Sequence, residues 1–280
     1  MKIGIDASIL SRSKTTGINR FLRNVLDQIP MIDRHNEYYL CAPCRLPKYE
    51  IQGFNIITIG DNKSIPPKYY HPFWLNCLLP IIMQKYRFDV FFQPNFILPL
   101  LYNKLTTKYV ITIHDLIPQV MPEYRETIYR TYLNAVLPRS IKRSQSIITV
   151  SESSKRDIVR LYRTPSDKIT VVYEASDDKF RLRKISPDKK REVASRYRLP
   201  DQFILHVGAI ENRKNIPGII KVGTILQKAG RNIRIVLIGK AGYGSGPILK
   251  DIRTRNNILY LGHVREDDLP YLYNLATIFL

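Results

Sequence analysis

The chain is poor in cysteine, in acid and in long apolar runs, and each shortage excludes something. Three cysteines in 280 residues, Cys41, Cys44 and Cys77, are too few and too odd in number for a disulfide framework, so reduced thiols are expected. The CAPC spacing from Cys41 to Cys44 has no second cysteine pair and no spaced histidines to complete a zinc site, and it reads as strand-end packing. The most apolar stretch, FWLNCLLPIIM from Phe73 to Met83, falls short of the ~20 residues that cross a bilayer and contains Asn76 and Pro80. The opening MKIGIDASIL alternates like a strand and lacks the layout of a secretory signal, so a cytoplasmic location is expected. Two nucleotide fingerprints are missing as well. There is no GxGxxG after the first strand, and the glycine-rich IGKAGYGSGP (Ile238 to Pro247) lacks the GK[ST] ending of a phosphate loop, which disfavours nucleotide hydrolysis.

Acid is outnumbered by base, 24 Asp and Glu against 44 Lys and Arg, for a net charge of +20. Such a chain is attracted to polyanions: nucleic acid, an anionic lipid surface or a phosphorylated small molecule. The basic residues are spread over many helical stretches, with no stacking platform or recognised motif, so nucleic acid is disfavoured.

What is present is a regular alternation. Apolar, β-branched runs recur as KIGIDASIL, EYYLCAP, FNIITIG, FDVFFQ, YVITIHD, SIITVS, ITVVYE, FILHVGA, IRIVLIG, ILYLGHV and ATIFL, separated by amphipathic stretches. Continuously apolar strands alternating with helices predict an α/β protein with parallel sheets covered on both faces, about seven strands in the first sheet and four in the second. Gly17 precedes one helix, Ser151 caps another, and Asn215-Ile216-Pro217 opens a third. From Ser176 to Gln202 the apolar runs give way to charge and two prolines, which places a boundary between domains 1–180 and 181–280.

Ligands of open α/β sheets bind outside the carboxyl ends of the strands, where helix N-termini aim free amides outward. In VGAIENRKN, Arg213 and Lys214 fall between a strand and a helix, suited to a phosphate; a solvated loop with an Arg213–Glu211 surface pair is the plainer reading. His114-Asp115 ends the strand YVITI, where a histidine can exchange a proton near neutral pH or serve only as a packed structural residue. The loop Ser11 to Arg20 offers Gly17, Lys14 and Arg20 to an anion, and Gly239, Gly242, Gly244, Gly246 and His263 sit at further strand ends.

The stretches TGINRFLRNVL, TIHDLIPQVMPEYRETIYRTYL, ITVSESSKRDIVRLY, KITVVYEASDDKF, ILHVGAIENRKNIPGIIKV, IRIVLIGKAGYG and LYLGHVREDDLPYLYNLATIFL together resemble glycosyltransferase family 4, over nearly the whole chain. The resemblance implies the GT-B fold, two Rossmann-like domains with the acceptor held by the first and a nucleotide-diphosphate sugar by the second. It implies retaining, metal-independent transfer of a hexosyl unit from GDP-mannose or a UDP sugar to a glycan or polyprenyl-diphosphate-linked acceptor. No cofactor is then needed, and the protein would work in the cytoplasm or at the inner face of the cytoplasmic membrane. Segments 68–86 and 122–143 would offer aromatic, apolar and basic residues to that surface, unless they are core helices with cationic outer faces.

By the same resemblance Lys214 is the diphosphate-binding lysine with Arg213 beside it, Glu211 orients Arg213, and His114 lies near the transferred sugar. Gly17, Gly208 and Gly239 complete the donor-binding set, and Ser151 lines the cleft or only caps its helix. The family often has an arginine after the strand-end glycine, where Ala209 stands here. It also continues with a segment whose two glutamates, seven residues apart, hold the donor sugar and the ribose; this sequence ends at Leu280 before such a segment. The second domain is therefore expected to be incomplete, and a non-catalytic remnant or partner subunit is the alternative to an active transferase.

Overall fold

The computed structural model describes residues 1–11, 16–46, 53–59, 71–100, 106–182 and 184–280. They form two compact units, Met1–Val120 with Ile128–Glu174, and Met121–Thr127 with Ala175–Leu280.

In the first unit the described strands build one seven-stranded parallel sheet. Its strands are β1 (Lys2–Asp6), β2 (Glu37–Ala42), β3 (Phe54–Thr58), β4 (Val90–Gln93), β5 (Lys108–Ile113), β6 (Ser146–Thr149) and β7 (Ile169–Val171). The order is β3-β2-β1-β4-β5-β6-β7, with Ile3 in register with both Tyr38 and Val90. The direction of winding reverses between β1 and β4, and that reversal opens a crevice at the strands' carboxyl ends. The helices α1 (Gly17–Ile32), α2 (Leu79–Tyr86, after a π turn at Trp74–Leu78), α3 (Thr127–Arg143) and α4 (Glu152–Tyr162) pack around it.

Two apolar layers flank this sheet. One gathers Trp74, Leu79, Met83, Phe91, Ile111 and Leu137; the other joins Leu22 and Leu26 of α1 to Ile5, Leu40 and Phe92. Leu22 and Leu26 are fully buried, and each contributes about 1.5–3 kcal/mol by leaving water. Beside α1 the second layer opens into an apolar groove of about 320 Å³ between Phe21, Val25 and Ile29 and the sheet residues Val110, Ile148 and Val172. Trp74, Leu75, Leu79, Ile82 and Met83 all point into the core, so most of the apolar side of 71–86 is packing; residues 68–70 lie outside the described set.

The second unit carries a smaller parallel sheet of β8 (Phe203–Val207), β9 (Arg234–Ile238), β10 (Ile258–Gly262) and β11 (Ile278–Phe279), in the order β10-β9-β8-β11. The chain steps outward from β8 to β10 and then returns to the far side of β8, so the reversal here falls between β8 and β11. Helices α5 (Pro187–Tyr197) and α8 (Leu269–Leu275) cover one face, and α6 (Ile216–Lys228) and α7 (Gly246–Arg253) the other. Asp268, just before α8, accepts bonds from Arg196 and from the Tyr197 hydroxyl, both 2.7 Å, and so ties α5 to α8.

Candidate donor and sugar sites at the strand ends

Three strand ends of the second unit are laced together by backbone bonds. The Gly208 amide donates to Ile238 O and the Gly239 amide to Gly262 O, each at 2.8 Å, while Ile210 N donates to Lys240 O at 2.9 Å. This works because Gly239 adopts φ +144 and lies so close to its neighbour that a Cβ there would stand 1.8 Å from the Gly208 oxygen. The Tyr260 hydroxyl donates to the Gly239 carbonyl at 2.9 Å and steadies it from the next strand.

Over this floor runs the turn from Gly208 to Asn215. Glu211 is buried, and its carboxylate pairs with the Arg213 guanidinium. It is packed under Gly242, where a Cβ would meet Glu211 Oε2 at 3.0 Å. Arg213 is thereby held on a short 3-10 turn (Asn212–Lys214), not left as a surface charge. Lys214, the next residue, is exposed; its amide donates to Glu211 O at 3.1 Å, and its ammonium makes no hydrogen bond or ion pair among the described residues. Asn215 follows in the left-handed region, φ 51, and opens α6 without a side-chain cap. The uncapped helix N-terminus and the unengaged ammonium together leave a cationic corner facing solvent.

Gly17 belongs to the first unit, as the first residue of α1. Thr16 caps the helix, its side chain accepting from Asn19 N at 3.3 Å. Nothing lies within 4 Å of a Cβ built on Gly17, so this glycine leaves its helix start open. Lys14 lies outside the described residues.

His114 follows β5, with its side chain only 12% exposed. Its Nε2–H donates to Pro94 O at 3.1 Å, its ring meets Phe21 edge-on at 4.9 Å, and its carbonyl accepts from Ser154 Oγ at 3.1 Å. With Nε2 so engaged, Nδ1 is the free nitrogen, and Glu174 Oε1 lies 3.8 Å from it. Asp115, the adjacent carboxylate in sequence, turns away to accept from Ile117 N at 3.1 Å. The acid that faces His114 is therefore Glu174, 60 positions along, which no local pattern marks. Ser151 caps α4 by accepting from Ser154 N.

Buried polar groups mark the reversal point of the first sheet. Asp6 Oδ1 accepts from Ser8 N and from the Trp74 indole, both 3.0 Å, and Gln93 donates to Ile97 O at 2.9 Å. Sequence reasoning passed over both as parts of apolar strands. Among the described residues no cluster of three or more His, Cys, Asp or Glu is placed to hold a metal ion.

Comparison with known proteins gives a consistent result. The Glycosyltransferase Family 4 profile matches residues 15–180, more than half of the chain. The chain is 32% identical over 203 residues to "O-antigen chain mannosyltransferase B" of Escherichia coli, a match covering 71% of this chain and 52% of that protein. It thus spans about half the length of that relative. Among solved structures it matches WaaG, "a glycosyltransferase involved in lipopolysaccharide biosynthesis", with a TM-score of 0.67 at 12% identity, over 100% of this chain and 74% of that one. It also matches Anabaena Alr3699/HepE in complex with UDP-glucose, with a TM-score of 0.62 at 14% identity, over 100% and 73%. These two likenesses show the fold, which is GT-B. By its sequence and its fold, the chain belongs to glycosyltransferase family 4.

Proposed function

We propose that the protein transfers a mannosyl unit from a nucleotide-diphosphate donor to a growing surface glycan. The observation that carries this reading is the unengaged Lys214 ammonium at the open N-terminus of α6, beside an Arg213 locked by buried Glu211. A diphosphate in that corner meets a point charge, a guanidinium and the positive end of the α6 dipole, which suits a leaving group that gains charge as its bond to sugar C1 breaks. The electron pair departs on the phosphate oxygen, the acceptor hydroxyl forms the new bond to C1, and its proton passes to the departing diphosphate. Protein cations supply the counter-charge in this scheme, so it needs no metal, and the configuration at C1 is retained. In the first unit, His114 offers Nδ1 to a substrate hydroxyl.

Mannose as the sugar is supported by the E. coli mannosyltransferase relative, and GDP is the carrier this reading takes for it. A polyprenyl-diphosphate-linked acceptor at an anionic membrane surface fits the net charge of +20. On α3, Ile128 is 85% exposed and shares the outer surface with Arg139 and Lys142, a mixture suited to lipid headgroups. No helix among the described residues is long and apolar enough to cross a membrane.

Calorimetric titration with GDP-mannose and UDP sugars, followed by an assay of sugar transfer to a lipid-linked glycan, tests the reading. Saturable binding of GDP-mannose is expected. Binding of a UDP sugar alone would replace the donor, and binding of neither would overturn the proposal.

A further inference from the structure

His206 has played no part so far, yet it occupies the point of the second sheet where ligands of open α/β sheets gather. It lies near the end of β8, and the winding reverses between β8 and β11. Its Nδ1 is 3.0 Å from the Leu280 carbonyl across that reversal point. A carbonyl only accepts, so Nδ1 carries the proton and Nε2 presents a lone pair. His206 is 7% exposed, and Nε2 has no hydrogen-bond partner among the described residues.

An orphaned acceptor in the core is costly, about 1–3 kcal/mol, and such atoms are uncommon unless something meets them. The direction in which Nε2 points is given by Gly208: a Cβ built there would lie 3.1 Å from it, so the buried atom faces the side that the glycine leaves without a side chain, at the start of the turn that carries Lys214. Burial pushes the imidazole below the usual histidine pKa, and the Lys214 charge acts the same way against the opposing Leu280 carbonyl. The ring is therefore neutral at physiological pH. A neutral nitrogen lone pair repels a phosphate oxygen and accepts from a hydroxyl, so its partner is the sugar attached to the phosphate, not the phosphate itself.

We infer that His206 is a donor-site residue whose Nε2 accepts a hydrogen bond from a hydroxyl of the nucleoside diphosphate sugar. The inference rests on the donor reading above and adds a residue that the β8 strand hides inside FILHVGA. Asparagine keeps a donor for Leu280 but cannot reach the Nε2 position, whereas glutamine reaches it. Gly208→Ala leaves the histidine intact and puts a methyl group against Nε2.

The test is calorimetry of wild type, His206→Asn, His206→Gln and Gly208→Ala with GDP-mannose, GDP and inorganic pyrophosphate, with melting curves for each variant. His206→Asn and Gly208→Ala should bind GDP-mannose roughly tenfold more weakly, with pyrophosphate unchanged and His206→Gln close to wild type. Loss confined to GDP-mannose assigns a hexosyl hydroxyl, and loss shared with GDP assigns a ribose hydroxyl. If His206→Asn fails to fold, Gly208→Ala carries the same comparison. Undiminished binding of both nucleotides by the variants, or equal loss of pyrophosphate, overturns the inference and leaves the donor site standing. Failure of wild type to bind any of the three overturns the donor reading, and this inference with it.

Discussion

Gly239 and Gly208 approach each other so closely that a Cβ on Gly239 would stand 1.8 Å from the Gly208 carbonyl oxygen. Gly239→Ala must therefore shift backbone against backbone while adopting φ +144, a region that side chains rarely enter. We expect a loss of about 2–3 kcal/mol and a melting temperature lower by several degrees, with nucleotide binding weakened because the Gly208 turn moves. A thermal melt within a degree of wild type would show that this contact yields cheaply.

His206 titrates in a direction that can be worked out. Its pKa is lowered in the folded protein, mainly by burial. The unfolded chain, with an ordinary value near ~6.5, therefore binds the proton first as pH falls. The second unit should lose stability from about pH 6.5 downward until the lowered folded value is passed. An NMR titration should place His206 below ~6.5 and show it rising in Lys214→Ala, since one of the charges holding it down is then gone.

Asp268 presents the opposite case. Burial alone works against its charge, but the Tyr197 hydroxyl and the Arg196 guanidinium outweigh that and hold the carboxyl below the ordinary aspartate value. Its contribution is present above ~4 and disappears as pH falls through the lowered folded pKa. Asp268→Ala leaves Arg196 and Tyr197 without this partner and should cost about 2–4 kcal/mol in urea unfolding at pH 7.

Arg163 ends α4 at φ 50, a left-handed position that disfavours any residue with a Cβ, and its side chain is exposed. Arg163→Gly should stabilise the protein by about 1 kcal/mol, read as a higher unfolding midpoint.

The eleven strands were legible because burial on both faces demands short, continuous apolar and β-branched runs, and these recur at regular intervals. Helix starts at Ser151 and Pro217 were equally plain, since caps and first-turn prolines act locally. Helix ends were harder: Arg87, Arg163 and Arg198 each take the left-handed position that a glycine would have announced. At the candidate sites, Glu211, Arg213 and Lys214 sit on one turn and can be read together. Glu174 beside His114, Trp74 on Asp6, and Leu280 on His206 are contacts between residues 60 or more positions apart, created only by the order of the strands.

Lys214 offers the most direct measurement of the central claim, that the turn between β8 and α6 binds a diphosphate. Calorimetric titration of GDP-mannose into wild type and Lys214→Ala compares a site with its unengaged ammonium to the same site without it. Losing one charge-assisted contact should weaken binding roughly 10- to 100-fold, with the melting temperature unchanged because the exposed side chain makes no bond among the described residues. Equal affinity of the two proteins for GDP-mannose would contradict the account.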